Sequence, residues 1–183
     1  MVWINSEYSE EFAVLSAWLS LLLPWSVAYG RLSVTGGAEK ETTVVILRFP
    51  LFGLRYVLGS GILDGTTLKT PWGFFQETSG QLPGQAAAHL AWVVAAAIIL
   101  VLFVVSLLMY FEYDEAKALP GNGVYVVGAL LVLLGVVYTA ASLQLSATQG
   151  TKLLGLQQFL PIGLLGTLIV FVLGGLNLFA DRT

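Results

Sequence analysis

Four long apolar runs, interrupted once by a polar insert, constrain this chain more than any other feature. The runs are residues 12–29, 86–110, 124–145 and 159–180, and the insert is residues 30–85. The shortest run, Phe12–Tyr29, would rise about 27 Å as a helix, just enough to cross a bilayer. Charged residues make up 10% of the 183-residue chain and hydrophobic residues 57%, whereas a soluble domain carries about 25% charge. A water-facing surface could not be covered with so few charges, and a lipid-facing surface needs none. The expected fold is a membrane all-α protein, a four-transmembrane-helix bundle with a small antiparallel β-rich insert between helices 1 and 2, forming one domain.

The ends of the runs carry local signals. Asn5 or Ser6 suits an N-cap for the first helix, which places Glu7, Glu10 and Glu11 at the positive end of its dipole. The same acidic start, without Lys or Arg, is unlike the basic n-region of a signal peptide, so the first run is expected to remain as a span. Pro24 should kink that run or mark its end. Trp18 falls mid-span, and Trp25 and Tyr29 suit an interfacial belt. Pro161 is tolerated in the first turn of the fourth run. The connections 111–123, with a Leu-Pro-Gly-Asn-Gly turn cluster, and 146–158, polar and Gln-rich, are short, so the last three spans should be antiparallel neighbours, with both termini on one side.

Within the insert, Thr42–Phe49 is rich in β-branched residues and reads as a strand. Pro50–Gly53 can turn the chain. Leu54–Leu63 is a second strand, and Asp64-Gly65 followed by TTLKT is a hairpin signal. The expectation is an antiparallel meander of about three strands resting on the helix ends, with Trp72, Phe74 and Phe75 capping it or dipping into the interface. Arg31, Lys40, Arg48, Arg55, Lys69 and Lys152 lie on the insert side and only Lys117 and Arg182 on the other. Counted alone, these favour a cytoplasmic insert. Analogy with four-span proteins that display a β-rich first loop outside favours cytoplasmic termini in the cell membrane, and that orientation is adopted here.

Chemistry is sparsely marked. There is no cysteine and no basic run, and the net charge is −3, which disfavours thiol chemistry and nucleic-acid binding. The runs contain no Asp, Glu, Lys or Arg, and His89 is their one histidine, so the buried charges of a pump or coupled transporter are missing. His89, with Trp92 one turn on, is a possible haem or metal ligand, though one histidine cannot supply bis-histidine ligation, or simply an interfacial histidine bonded to water, headgroups or a loop carbonyl. Asp114 and Glu115 read as solvated loop carboxylates. Arg48 and Arg55 lie in or beside apolar strands. They could bind lipid phosphate or a partner carboxylate, with Trp72, Phe74 and Phe75 beside them, or form ion pairs with Glu39, Glu41, Asp64 or Glu77. Small residues such as Ala13 and Ala17, Ser16 and Ser20, and Gly128 and Gly135 allow close helix approach. These features suit a non-enzymatic membrane protein that acts by association, as an accessory subunit or scaffold, through another membrane protein or itself. A haem-, quinone- or lipid-binding subunit is the alternative. No metal or cofactor is expected on the first reading.

Trp3, Ser6-Glu7-Tyr8, Glu11, Ala17-Trp18-Leu19 and Leu23-Pro24-Trp25-Ser26, with Arg48-Phe49-Pro50 and Arg55-Tyr56 later, resemble a family of uncharacterised haloarchaeal four-span membrane proteins. The resemblance implies an archaeal cell membrane and no known activity, so it assigns no functional residue. The overall plan is also similar to claudin-like proteins, but their loop carries a cysteine pair that this chain lacks. Topology is directly testable because the chain has no native thiol. Single cysteines at Ser6, Asn122 and Thr183 should label from one side of the membrane and a cysteine at Thr66 from the other. Opposite labelling of Ser6 and Thr183 would overturn the four-span count.

Overall fold

The computed structural model describes residues 8–34, 40–58, 65–80, 82–111, 122–149, 169 and 172–177. Helix α1 is Ser9–Leu22, with Glu10 and Glu11 in its first turn, where they oppose the helix dipole. It ends before Pro24: Leu23 is extended (φ −82°, ψ 137°), as expected of a residue that precedes proline. Strand β1, Ser26–Val34, then begins. The expected single span 12–29 is therefore a helix of about 21 Å followed by a strand. Extended backbone at Ser26–Tyr29 gains ladder bonds opposite Val45–Arg48, which a prolonged helix would forgo. The N-cap expected at Asn5 or Ser6 lies outside the described residues, and Tyr8, at the cap position, makes no side-chain capping bond.

The insert forms four strands where about three were expected, because β1 is drawn from the end of the first apolar run. β2 is Lys40–Arg48, β3 Gly53–Leu58 and β4 Gly65–Lys69, in the antiparallel order β1-β2-β3-β4. Pro50 and Leu51 form the tight β2–β3 turn, closed by Phe49 N–H donating to the Phe52 carbonyl at 2.8 Å. Gly65 is not a turn residue. It opens β4 opposite Val57, and its backbone is not left-handed. The rest of that hairpin, residues 59–64 with Asp64, lies outside the described residues, as do Asp114 and Glu115.

A short helix not expected from the sequence follows. Helix α2, Pro71–Ser79, has Pro71 in its first turn, and the Thr70 side chain caps it by accepting from Gly73 N–H. Helix α3, Pro83–Tyr110, starts three residues before the expected span, and helix α4 is Asn122–Gln149. Both are long and apolar enough to cross a membrane. Of the fourth run, residues 169 and 172–177 are described and helical; Gly174 lies against the Val132 backbone.

Helices α3 and α4 pack through a regular seam. Ala88, Trp92, Ala95, Ile99 and Leu102 face Val124, Val127, Leu131, Leu134, Tyr138, Ala141 and Leu145, all buried. The alternating spacing of three and four keeps one stripe of each helix on its neighbour, as in a coiled coil. Helix α1 lies on this pair with Ala13, Ser16, Ala17 and Ser20 buried. Trp18 Nε1 donates to Ser106 Oγ at 3.2 Å. On the outside, Leu15 and Leu22 of α1, Val94, Val101 and Val104 of α3, and Val136 and Leu143 of α4 are exposed.

The β2–β3 turn meets the helices at Gly53. A Cβ there would fall 2.6 Å from Phe74 Cε2 and 2.9 Å from Trp92 Cη2. Gly53→Ala should therefore lower stability in detergent by about 1–3 kcal/mol through overpacking. Gly65→Val, which meets nothing within 4 Å, should stay within about 0.5 kcal/mol of wild type. Thermal unfolding of the two purified variants measures the contrast.

Candidate functional site

Strand register sorts the insert side chains into two unlike faces, since neighbours across a ladder share a face and alternate residues oppose it. The inner face carries the row Ser26, Arg48, Gly53, Lys69 and next to it the row Ala28, Ile46, Arg55, Thr67. Gly53 places this face against Phe74 and Trp92. The outer face carries the rows Val27, Leu47, Leu54, Leu68 and Tyr29, Val45, Tyr56, Thr66. No residue of those outer rows is buried, and Leu68 is 65% exposed.

The two arginines of the inner face differ in their partners. Arg55 donates through both terminal nitrogens to the Glu77 carboxylate at 3.3 and 3.4 Å, and Lys69 Nζ reaches the same carboxylate at 3.0 Å. The Arg55 guanidinium also lies 5.5 Å from the Phe74 ring centroid, a cation–π contact. Burial tends to raise the Glu77 pKa, but the Lys69 hydrogen bond and the Arg55 charge prevail and hold it below the ordinary carboxylate range. Arg55 is thus engaged in one of the ion pairs weighed from the sequence.

Arg48 is 2% exposed. Its Nη1 donates to Ser26 Oγ at 3.3 Å, and its Nε has no hydrogen-bond partner among the described residues. Burial first, and the Arg55 charge second, lower its pKa to about 10. That value still leaves it charged at neutral pH. None of the ion pairs among the described residues includes Arg48, and the nearby Glu77 is shared by Arg55 and Lys69.

Aromatic rings pack at the strand end that carries Arg48. Trp25 N–H donates to the Arg48 carbonyl at 2.9 Å. The Trp25 ring stacks on Tyr138, with centroids 4.9 Å apart and planes 6° apart, and meets Trp92 edge-on at 5.6 Å. Trp92 Nε1 is shared between the Phe49 and Pro50 carbonyls, at 3.0 Å each. His89 lies 6.2 Å from Trp92 and 5.5 Å from Phe74, centroid to centroid. Its Nδ1 is 3.1 Å from Thr78 Oγ1. The single Thr78 hydroxyl proton has the Phe74 carbonyl at 2.9 Å to receive it. The His89 tautomer sets which of Nδ1 and the Thr78 hydroxyl donates. Trp25 Nε1, His89 Nε2 and Tyr138 OH are all buried without a hydrogen-bond partner among the described residues.

The sequence-derived site residues thus separate. Arg48, Phe74 and His89 come together with Trp92 beneath the sheet. Arg55 sits at the rim. Trp72 is exposed on α2 and packs on Phe75 at 5.1 Å, away from the buried group. Trp25, expected at an interface, is instead in the core at 2% exposure, because the turn at Pro24 carries it inward against Tyr138. Trp25, Ser26 and Tyr138 were not read as site residues. The available signal was Tyr138, a phenol on the buried stripe of an otherwise apolar helix. No group of three His, Asp or Glu able to hold a metal occurs among the described residues.

The Glu77 cluster yields a pH prediction. A carboxylate held below its ordinary range stabilises the fold above that range, and the contribution disappears as pH falls through its lowered pKa. Glu77→Gln should lower the melting temperature at pH 7, and the gap to wild type should close in acid below about pH 4. A gap that persists at low pH would show that the effect is not one of charge.

The chain belongs to a family of unknown function (DUF7549), whose model matches residues 2–182. No curated protein matches it.

Proposed function

We propose that this member of the family is a multi-pass protein of an archaeal cell membrane that acts without catalysis, as an accessory subunit or scaffold of a membrane complex. The four-span bundle is part of the proposal, and both termini are placed in the cytoplasm. Two observations support a membrane setting: α3 and α4 contain no Asp, Glu, Lys or Arg, and their outward side chains include exposed Val94, Val101, Val104, Val136 and Leu143. The resemblance of the first third of the chain to haloarchaeal membrane proteins supports the source.

The observation that carries the associative reading is the outer face of the sheet. Val27, Leu47, Leu54 and Leu68 form an apolar row across all four strands, with Tyr29, Val45 and Tyr56 beside it. Leu58 and Leu68 are more than half exposed. A sheet face of this composition is ordinarily covered, and no described element lies over it. The partner is another membrane protein or a second copy of the chain. Affinity purification in mild detergent should recover a stoichiometric partner or a homo-oligomer. Leu58→Glu together with Leu68→Glu should release it while the melting temperature stays close to wild type. A monomer without a partner in several detergents would overturn the reading.

A further inference from the structure

We propose that Arg48, with the indole N–H of Trp25, forms a binding site for a small anion, held between the inner face of the sheet and helices α3 and α4. The argument begins with charge. Among the described side chains of the inner face and α2, Arg48, Arg55 and Lys69 are opposed by Glu77 alone. Arg55 and Lys69 consume that carboxylate. Arg48 lies deepest, at 2% exposure, and its one side-chain bond is a long contact with a neutral hydroxyl. A buried cation is retained in proteins when it is paired with an opposite charge, because water cannot solvate it there.

Buried polar atoms of Arg48 and of residues packed at its strand end point to the same ligand chemistry. Arg48 Nε and Trp25 Nε1 are both N–H donors, both buried, and both without an acceptor among the described residues. The main-chain N–H of Trp25 bonds the Arg48 carbonyl, which holds the two backbones side by side. Tyr138, stacked on Trp25, adds a buried hydroxyl able to donate. Buried N–H donors that lack acceptors, next to a positive charge that no described carboxylate pairs, suit a halide or the oxygens of a carboxylate or phosphate. The same chemistry can arrive as a free ion or as the headgroup of an acidic lipid.

The test uses the full-length protein in detergent at pH 7, delipidated, with chloride, acetate or phosphate exchanged against the bulky HEPES sulfonate at constant ionic strength. Wild type should show a saturable rise in melting temperature and a saturable change in tryptophan fluorescence, since Trp25 lies between Tyr138 and Trp92. Arg48→Met should abolish both responses, and Arg48→Lys should weaken the apparent affinity by about tenfold, a loss of about 1.4 kcal/mol, because an ammonium lacks the forked donor geometry. A response in the delipidated protein identifies a free ion. An acidic lipid retained by wild type and absent from Arg48→Met in native mass spectrometry identifies a headgroup. Wild type that neither responds to the three anions nor retains an acidic lipid holds water only, and the proposal fails; this arm stands even if Arg48→Met does not fold. A response of Arg48→Met equal to that of wild type also overturns it.

Discussion

The joint between the sheet and the helices centres on one side chain, Trp92. It belongs to the seam of α3 against α4, between Ala88 and Ala95, and its packing there follows from the helix repeat. Its indole N–H also leaves the seam to bond the Phe49 and Pro50 carbonyls of the β2–β3 turn. The same ring fills the space that Gly53 leaves open and takes the edge of Trp25. One residue therefore belongs to the helical core and the sheet core at once. Truncating a ring so placed costs about 3–5 kcal/mol from packing alone, and here would also strip two turn carbonyls of a donor. A four-stranded meander has little core of its own, so its position depends on this joint.

The joint explains why two arginines on one sheet face have opposite fates. Arg48 and Arg55 are both directed inward by strand alternation. Arg55 lies toward α2, where Glu77 meets it at the surface. Arg48 lies beside the turn that Trp92 pins, and it is buried there. A half-exposed ion pair such as Arg55–Glu77 contributes little to stability. A buried guanidinium that no carboxylate pairs among the described residues opposes folding unless something compensates for it. Packing alone would be served better by an apolar residue at position 48, so the charge there points away from a purely structural role.

The sequence was most legible where one signal acted alone. The β-branched run at Thr42–Phe49 became β2, and the apolar runs at 86–110 and 124–145 became α3 and α4 with ends extended by a few residues. Legibility failed where two signals competed. The stretch after Pro24 is apolar enough for a span, yet proline broke the helix and the ladder with β2 claimed Ser26–Tyr29. Asp64-Gly65 resembles a two-residue turn, but pairing of Gly65 with Val57 puts the glycine inside the strand. Helix α2 was announced by Thr70-Pro71, a capping pair, but a nine-residue segment has too few turns for hydrophobic periodicity to show. The site itself was half legible. Arg48 and His89 were conspicuous as charges and polar groups in apolar surroundings, whereas the role of Trp25 depended on a turn that redirected it from a belt into the core.

The lengths of the helices set where this site would sit in a bilayer. Helix α3, at 28 residues, rises about 42 Å, against about 30 Å of hydrocarbon. The surplus of about 12 Å equals roughly eight residues. It falls at the N-terminal end, where Gly84 lies against Thr148 near the end of α4 and α2 covers His89. The other end of α3 bears Tyr110 and Phe111, exposed aromatics suited to an interface. If that end marks one boundary, Trp92, about 27 Å along the helix from Tyr110, lies near the opposite one. The sheet, Arg48 and the Glu77 cluster then occupy the interfacial layer. A charge at that depth meets a fraction of the penalty it would face at the midplane, and an anion could reach it from the aqueous side or from a headgroup without crossing hydrocarbon.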